Sequence, residues 1–439
     1  MATTKFTLTQ AAGTSTKKLT ISLWFKLGTV GGNSGLWSCG TGTGDAVGLA
    51  IRGDYKIIYN SYSAPTGNPM ILAAQLLRDP GAWYHVVASE DTTNVTGGDR
   101  MKMYLNGTEV TAFTTDTNPT QDSDIPGWSG SGDVMEIGNR ILDGDGFFDG
   151  TLAHVHVIDG TIYAASAFGE FDSTSGIWVP NSAPSVTYGT NGGFYKFTPG
   201  ALTTDSSGES NTLTQVGTPI ATQDNARDNY CTWNPVGNPR MSGATVYPVT
   251  FSNGNTTATN GDGSYYSSSG ATMGVQKGKW YAEAKCSVVG GPEAYFGLIA
   301  DDDYGIIADT YTYQQNGNVN GSAYGNTYTT GDIISLAFDG DNGTLWFGKN
   351  GTWENGATEG EIEAGTDTNA AVTSMGMTKS YLLGQKGYNS GVWQLNTGNG
   401  YFGTTAITSA GTNAGSGLFE YDVPSGYYAF NTNNLATYG

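Results

Sequence analysis

A chain of 439 residues with 19 Lys+Arg against 39 Asp+Glu, a net charge of −20, is too long for one small domain. It is also too acidic to be drawn to phosphate backbones or anionic lipid, which sets nucleic acid and membrane insertion aside as roles. Its 66 glycines, 26 tyrosines and 10 tryptophans, with only 13% charged residues against a usual ~25%, exclude a low-aromatic disordered chain and favour short strands joined by tight corners. No apolar run approaches the ~20 residues that span a bilayer.

In chain order, the N-terminal MATTKFTLTQ carries no apolar signal core, so synthesis and folding in a cytosol are expected. KLTISLWFKL (Lys18–Leu27) alternates Leu19, Ile21, Leu23, Phe25 and Leu27 toward one side, the period of a strand. MILAAQLLRD (Met70–Asp79) is short enough to be a helical turn or a buried strand. WYHVVASED (Trp83–Asp91) is a further strand, and MKMYLNGTEV (Met101–Val110) is strand, Asn106-Gly107 corner, strand, because a type I′ turn needs positive φ at both central residues. MEIGNR (Met135–Arg140) and FFDGTLAHVHVID (Phe147–Asp159) complete a first set. These five phrases, in this order, resemble a laminin-G-like, concanavalin-type jelly roll over residues 1–165.

Residues 166–225 are turn-rich, and are expected to trail across the first sandwich toward a boundary near Ala221–Pro235. Beyond it come GKWYAEAKC (Gly278–Cys286), AYFGLIADDD (Ala294–Asp303) and ISLAFDGDNGTLWFGKNGTW (Ile334–Trp353). In the last, Ile334, Leu336 and Phe338 alternate with Ser335, Ala337 and Asp339 as in a half-buried strand, and Asn350-Gly351 closes a second hairpin. LNTGNGYFGT (Leu395–Thr404) follows. This set resembles a SPRY domain over residues 226–439, including a C-terminal stretch from Leu418 with strand character. The expected fold class is all-β, two antiparallel β-sandwich (jelly-roll) domains in tandem, with Trp24, Phe25, Trp83, Trp280 and Trp346 in the cores. The pairing of these modules with FGEFDS, YGTNGG and DNYCTWNP phrases resembles predicted virion proteins of tailed phages.

The inventory of catalytic groups is thin. Glu170 and Asp172 in GEFDSTSG lack the third carboxylate of a sandwich-fold glucanase strand. Among three histidines, His154 and His156 share a strand at a spacing that could ligate a metal, yet sit where polar residues opposite a core are ordinary. Cys39, Cys231 and Cys286 are odd in number and far apart, so free buried thiols are expected. Activity as an enzyme is therefore not expected, nor is a cofactor. Calcium is the one metal the pattern admits, at Asp143, Asp145 and Asp149 in LDGDGFFDG, because some laminin-G-like domains bind it at the rim. RGD at Arg52–Asp54 is too short a match to weigh.

Binding is the remaining class. YTYQQNGNVNGSAYGNTYTTGD (Tyr311–Asp332) has the Tyr, Asn, Gly and Ser content of recognition loops and no charge before Asp332. Tyr311, Tyr313, Tyr324 and Tyr328, with Trp128 in DIPGWSGSGD, are the expected ligand-stacking residues. The resemblance implies a virion-located recognition protein (tail fibre, spike or head fibre) that binds host-surface glycan or a protein receptor. The alternatives are a capsid decoration or baseplate part that binds other virion subunits, and a glycan-degrading enzyme. A homo-oligomer is compatible with each.

Overall fold

The computed structural model describes residues 4–439 apart from 29–32, 64–66, 145, 174, 237–247, 262–265, 292–293, 302–309, 388, 414 and 416. Strands hold 43% of the residues and helices 6%. The chain forms two compact units, Met1–Ala221 and Thr222–Gly439.

In the first unit, among the described residues, one sheet runs in the order Phe113–Thr117, Met70–Ala73, Ile57–Ser63, Asp45–Ile51, Ser34–Gly42, Val134–Ile137, Lys5–Thr9, Thr214–Val216. A second runs Gly193–Tyr195, Gly150–Asp159, Lys18–Leu27, Trp83–Asp91, Met101–Leu105, Thr108–Glu109. Both are antiparallel. Leu19, Ile21, Leu23, Phe25 and Leu27 meet Trp37, Val47, Leu49 and Tyr59 in the core between the sheets. Asn106 and Gly107 take φ of 47° and 83°, the left-handed pair that the hairpin between Leu105 and Thr108 requires. MILA becomes a strand rather than a helical turn, because Met70–Ala73 pairs with Ile57–Ser63 on one side and Phe113–Thr117 on the other.

The segment after Asp159 builds a small core of its own. Phe168, Tyr188 and Phe194 pack with Val87 and Ile158, and Trp178 on the Gly169–Phe171/Trp178–Pro180 hairpin joins them. This covers the outer face of the second sheet, so Trp24 and Ser22 are buried although they point away from the main core. The first sheet carries its polar residues on the opposite outer face, and that is where the site described below lies.

In the second unit the principal sheet runs Thr250–Ser252, Thr257–Thr259, Val392–Asn396, Lys279–Val288, Ile333–Asp339, Thr344–Lys349, Thr352–Trp353. Its partner runs Ser267–Val275, Tyr381–Gly387, Tyr295–Ala300, Thr310–Gln314, Asn318–Val319, Ser322–Ala323. Trp280, Ile334, Leu336, Phe338, Phe347 and Trp393 fill the space between. Ile333–Asp339 is buried at all seven positions rather than on one face. The reason is a second layer, in which Phe419, Val423, Tyr427 and Ala429 lie against the outward Tyr281, Ala337 and Trp346. The C-terminal stretch contributes only Tyr428–Ala429 as strand, parallel to Trp280 and Tyr281, and then forms a helix, Thr432–Tyr438, capped by Asn431.

Candidate functional site

The expected stacking residues divide: Tyr313, Tyr328 and Trp128 are buried, and Tyr311 and Tyr324 are half-buried. Tyr313 is fully buried with its ring stacked on Phe347 at 5.5 Å and its hydroxyl on the Asn326 carbonyl. Tyr328 is buried, its hydroxyl within reach of the Ala294 and Tyr313 carbonyls, and burial raises that hydroxyl's pKa well above the ordinary value. Trp128 packs against Trp37 in the core of the first unit, with ring centroids 6.0 Å apart. Tyr311 and Tyr324 are half-buried, set edge-on against Tyr381 at 5.8 Å and Tyr313 at 6.0 Å. The physical cause is that a Tyr on a strand keeps its ring inside when a backbone carbonyl is near enough to take the hydroxyl. Composition alone does not separate that use from a recognition loop. Tyr313, Tyr328 and Trp128 are therefore core residues, and Tyr311 and Tyr324 flank that core.

Of the acidic trio, the structure describes Asp143 and Asp149. Asp145 lies outside the described residues. Asp143 is committed to the Arg140 guanidinium and accepts from Asn33 Nδ2 at 3.0 Å, while the Asp149 carbonyl accepts from the Gly28 amide at 2.9 Å. Among the described residues no group of three His, Cys, Asp or Glu is placed to hold a metal. His156 is buried under Phe194, centroids 4.0 Å apart, with Nδ1 3.0 Å from the Tyr188 hydroxyl, and a bulge between Ala153 and His156 interrupts the alternation that would pair it with His154. Glu170 is exposed on its hairpin, and Asp172 binds the amide and hydroxyl of Ser175 at 2.8 and 2.9 Å as a turn residue does.

The site the geometry does build is a polar groove on the outer face of the first sheet. Ile57 and Tyr59 point into the core, so Asn60 and Tyr62 on the same strand point out. Arg140 follows the strand Val134–Ile137 and begins a turn, Ile141–Asp143, that ends on Gly144 at φ 82°. Its side chain lies back across Gly48, where a Cβ would stand 3.3 Å from its Cγ and 3.4 Å from its Nε. Glycine clears the path for the guanidinium. Arg140 Nη2 donates to Asn60 Oδ1 at 2.6 Å, Nη1 donates to Asp143, and Asn60 Nδ2 donates to Asn68 Oδ1 at 2.8 Å. Thr43, Tyr62, Asn68 and Leu142 complete a cavity of about 350 Å³ around Arg140 and Asp143.

Two features make this more than a surface dent. Arg140 is 5% exposed and Asn60 4%, so both are held before any ligand arrives. Arg140 Nε, packed against Gly48, is buried with no hydrogen-bond partner among the described residues, a cost in free energy that the fold carries to hold the side chain here. The charge of Arg140 is balanced by Asp143, which leaves a neutral set of directed donors and acceptors beside an aromatic ring. Such a set suits a hydroxyl-bearing ligand. Sequence reasoning missed it. Arg140 stood at the end of MEIGNR, quoted only as a strand, and the one signal was a cation following a core strand in a chain with few cations.

Comparison with known proteins places these observations. Residues 2–166 match the family described as the Concanavalin A-like lectin/glucanases superfamily. A search of curated proteins finds no match. Among solved structures, the chain is similar to the native heptameric SAP-like pentraxin from Limulus polyphemus, at 20% identity over 37% of this chain and 72% of that one, TM-score 0.28. It is similar to the SPRY domain of human HERC1 at 18% identity, over 37% of this chain and 96% of that one, TM-score 0.27. It is also similar to the Ruminococcus gnavus IT-sialidase CBM40 bound to alpha2,3 sialyllactose, at 14% identity over 31% and 72%, TM-score 0.24. The first unit thus carries a concanavalin-like jelly roll within an all-β protein.

Proposed function

We propose that this chain is a virion-located recognition protein, a tail-fibre, spike or head-fibre component, whose first unit binds a neutral host-surface glycan in the Arg140 groove. The observation that carries the reading is the buried Arg140–Asn60–Asp143 network lining a cavity of about 350 Å³. The match of residues 2–166 to a superfamily of lectins and glucanases supports a carbohydrate ligand, and the thin catalytic inventory favours binding over hydrolysis. A net charge of −20 works against polyanions and leaves neutral sugars as the better partner. The virion setting rests on the resemblance of the linking phrases.

The test is a glycan array and a host-cell binding assay on the full chain, beside Thr43→Trp. Thr43 is exposed at the groove, so a large ring there fills the cavity without disturbing the core. Binding by the unaltered chain that Thr43→Trp removes at unchanged melting temperature is the expected result. Binding that survives it moves the site elsewhere, and release of reducing sugar would make the protein an enzyme.

A second reading has its own observation. Phe171 and Ile177 are 61% and 60% exposed at the end of the Gly169–Phe171/Trp178–Pro180 hairpin, an apolar tip suited to a protein surface. On this reading the chain is a capsid decoration or baseplate part held to other virion subunits. Assembly onto virions without any glycan or cell binding would favour it.

A further inference from the structure

Beside the groove, but separate from it, one carboxylate holds two groups that can react with each other. Lys5 Nζ is 2.7 Å from Glu136 Oε1, and Asn139 Nδ2 donates to Glu136 Oε2 at 2.6 Å. The topology brings them together. Lys5–Thr9 and Val134–Ile137 are neighbouring antiparallel strands with Thr7 opposite Glu136, so Lys5 shares Glu136's face one step along the diagonal. Gly138, at φ 83°, then turns the chain so that Asn139 folds in beside them, and Ser38 Oγ fixes the Asn139 carbonyl at 3.1 Å.

The surroundings are drier than an ordinary surface ion pair. The Lys5 and Glu136 side chains are 18% and 10% exposed, Asn139 is 1% exposed, and the Phe147 ring lies 5.8 Å from Lys5 Nζ. Asn139 Oδ1 is buried with no hydrogen-bond partner among the described residues, so the amide is held through its nitrogen alone. Ammonium, amide and a carboxylate that touches both are thus gathered where water is largely excluded. Fixing reactants in this way replaces an improbable encounter with an intramolecular step.

We propose that Lys5 and Asn139 become joined by an isopeptide bond, with Glu136 as the proton carrier. Glu136 takes a proton from the Lys5 ammonium, and the neutral amine attacks Asn139 Cγ. Glu136 returns the proton to Nδ2 as the Cγ–Nδ2 bond breaks. One C–N bond forms and one breaks, and ammonia leaves, as ammonium once it takes the remaining amine proton. Glu136 ends as the carboxylate it began, and no oxidant, metal or cofactor is needed. The product is a covalent tie between the first strand of the jelly roll and its neighbour.

Mass spectrometry of the full, denatured chain tests this directly. The expected result is an intact mass lower than the sequence mass by one ammonia. Trypsin should fail to cut after Lys5, and a branched peptide should contain both Lys5 and Asn139. Glu136→Ala and Asn139→Ala are each expected to restore the unmodified mass and the cut at Lys5. An intact mass equal to that of the sequence, or an ammonia loss located elsewhere with Lys5 and Asn139 in separate linear peptides, would mean that Lys5 and Glu136 form an ion pair only. The measurement on the unaltered chain decides the matter even if a variant fails to fold.

Discussion

Glu90 is buried inside the first sandwich, where its carboxylate accepts from the Tyr59 hydroxyl at 3.1 Å and from Ser61 Oγ at 3.3 Å. Burial outweighs those two bonds and pushes its pKa up to about 7 from an ordinary 4.5. A carboxyl that holds its proton more tightly when folded stabilises the fold below about 4.5, and that stability is lost as pH rises through about 7. Glu90→Gln keeps the size and the acceptor. It should melt higher than the unaltered protein in mildly alkaline buffer and no higher in acid. Equal melting temperatures in alkaline buffer would mean that Glu90 is not ionised there.

The whole pH profile combines opposing groups. Glu283, also buried and raised to about 7, acts in the same direction as Glu90. His85 is lowered to about 3 and His156 well below 6.5, chiefly by burial. Each imidazole contributes stability above about 6.5 that is lost as pH falls toward its folded value. Between about 4.5 and 6.5 the two kinds of group offset each other. Calorimetry across pH should therefore show a broad maximum in that interval, with carboxylates responsible for the alkaline fall and imidazoles for the acid fall. A steady rise in melting temperature into alkaline buffer would contradict it.

Glu283 also organises the outer layer of the second unit. It accepts from the Glu420 and Tyr421 amides at 2.9 Å each and from the Tyr281 hydroxyl at 3.0 Å. Glu283→Ala strands the two backbone donors, while the Tyr281 hydroxyl keeps Ser335 Oγ at 3.1 Å, at about 1–3 kcal/mol per stranded group. A lowered urea midpoint, with earlier proteolytic cleavage between residues 398 and 431 than elsewhere, is the expected pattern. Uniform cleavage would show that the layer does not depend on this carboxylate.

Tyr313→Ala and Tyr328→Ala should each destabilise the protein by about 3–5 kcal/mol, the cost of emptying a buried aromatic position. Trp280→Ala should cost the same. Loss of ligand binding without loss of stability at either tyrosine would return these residues to a binding role.

Cys39, Cys231 and Cys286 are buried and stand outside any disulfide, and burial pushes Cys39 well up and Cys286 to about 12. A thiol reagent should label none of them in the folded protein and all three after denaturation. Two unlabelled thiols in the denatured, unreduced chain would reveal a disulfide.

The strands were legible because their alternation is local: Lys18–Leu27 and Trp83–Asp91 occupy the residues that the pattern marks, and Asn106-Gly107 and Asn350-Gly351 turn where their φ preferences require. Burial on the outer faces was not legible. Ser335 and Ala337 read as a solvent face, and residues distant in sequence, Ile362 and Phe419 to Ala429 among them, lie over it. The groove was hidden for the same reason, since Asn60, Gly48 and Arg140 come from three separate strands or turns and no local pattern joins them. The burial of Tyr313 and Tyr328 was not legible because a ring that donates to a carbonyl inside and a ring that stacks on a sugar outside have the same neighbours in sequence.

The layer formed by Phe419, Val423, Tyr427 and Ala429 has a consequence for biosynthesis. As the chain leaves the ribosome, the last strand of the sheet around Tyr281, Ala337 and Trp346, Val392–Asn396, is made before the residues from Phe419 to Ala429 that cover it. Through that interval a nascent chain presents an aromatic surface in which Glu283 still lacks the Glu420 and Tyr421 amides. Such a surface attracts chaperones and other nascent copies alike. Yield in the cell should therefore depend on how quickly the residues from Asn396 to Ala429 are translated, a vulnerability the finished molecule no longer displays.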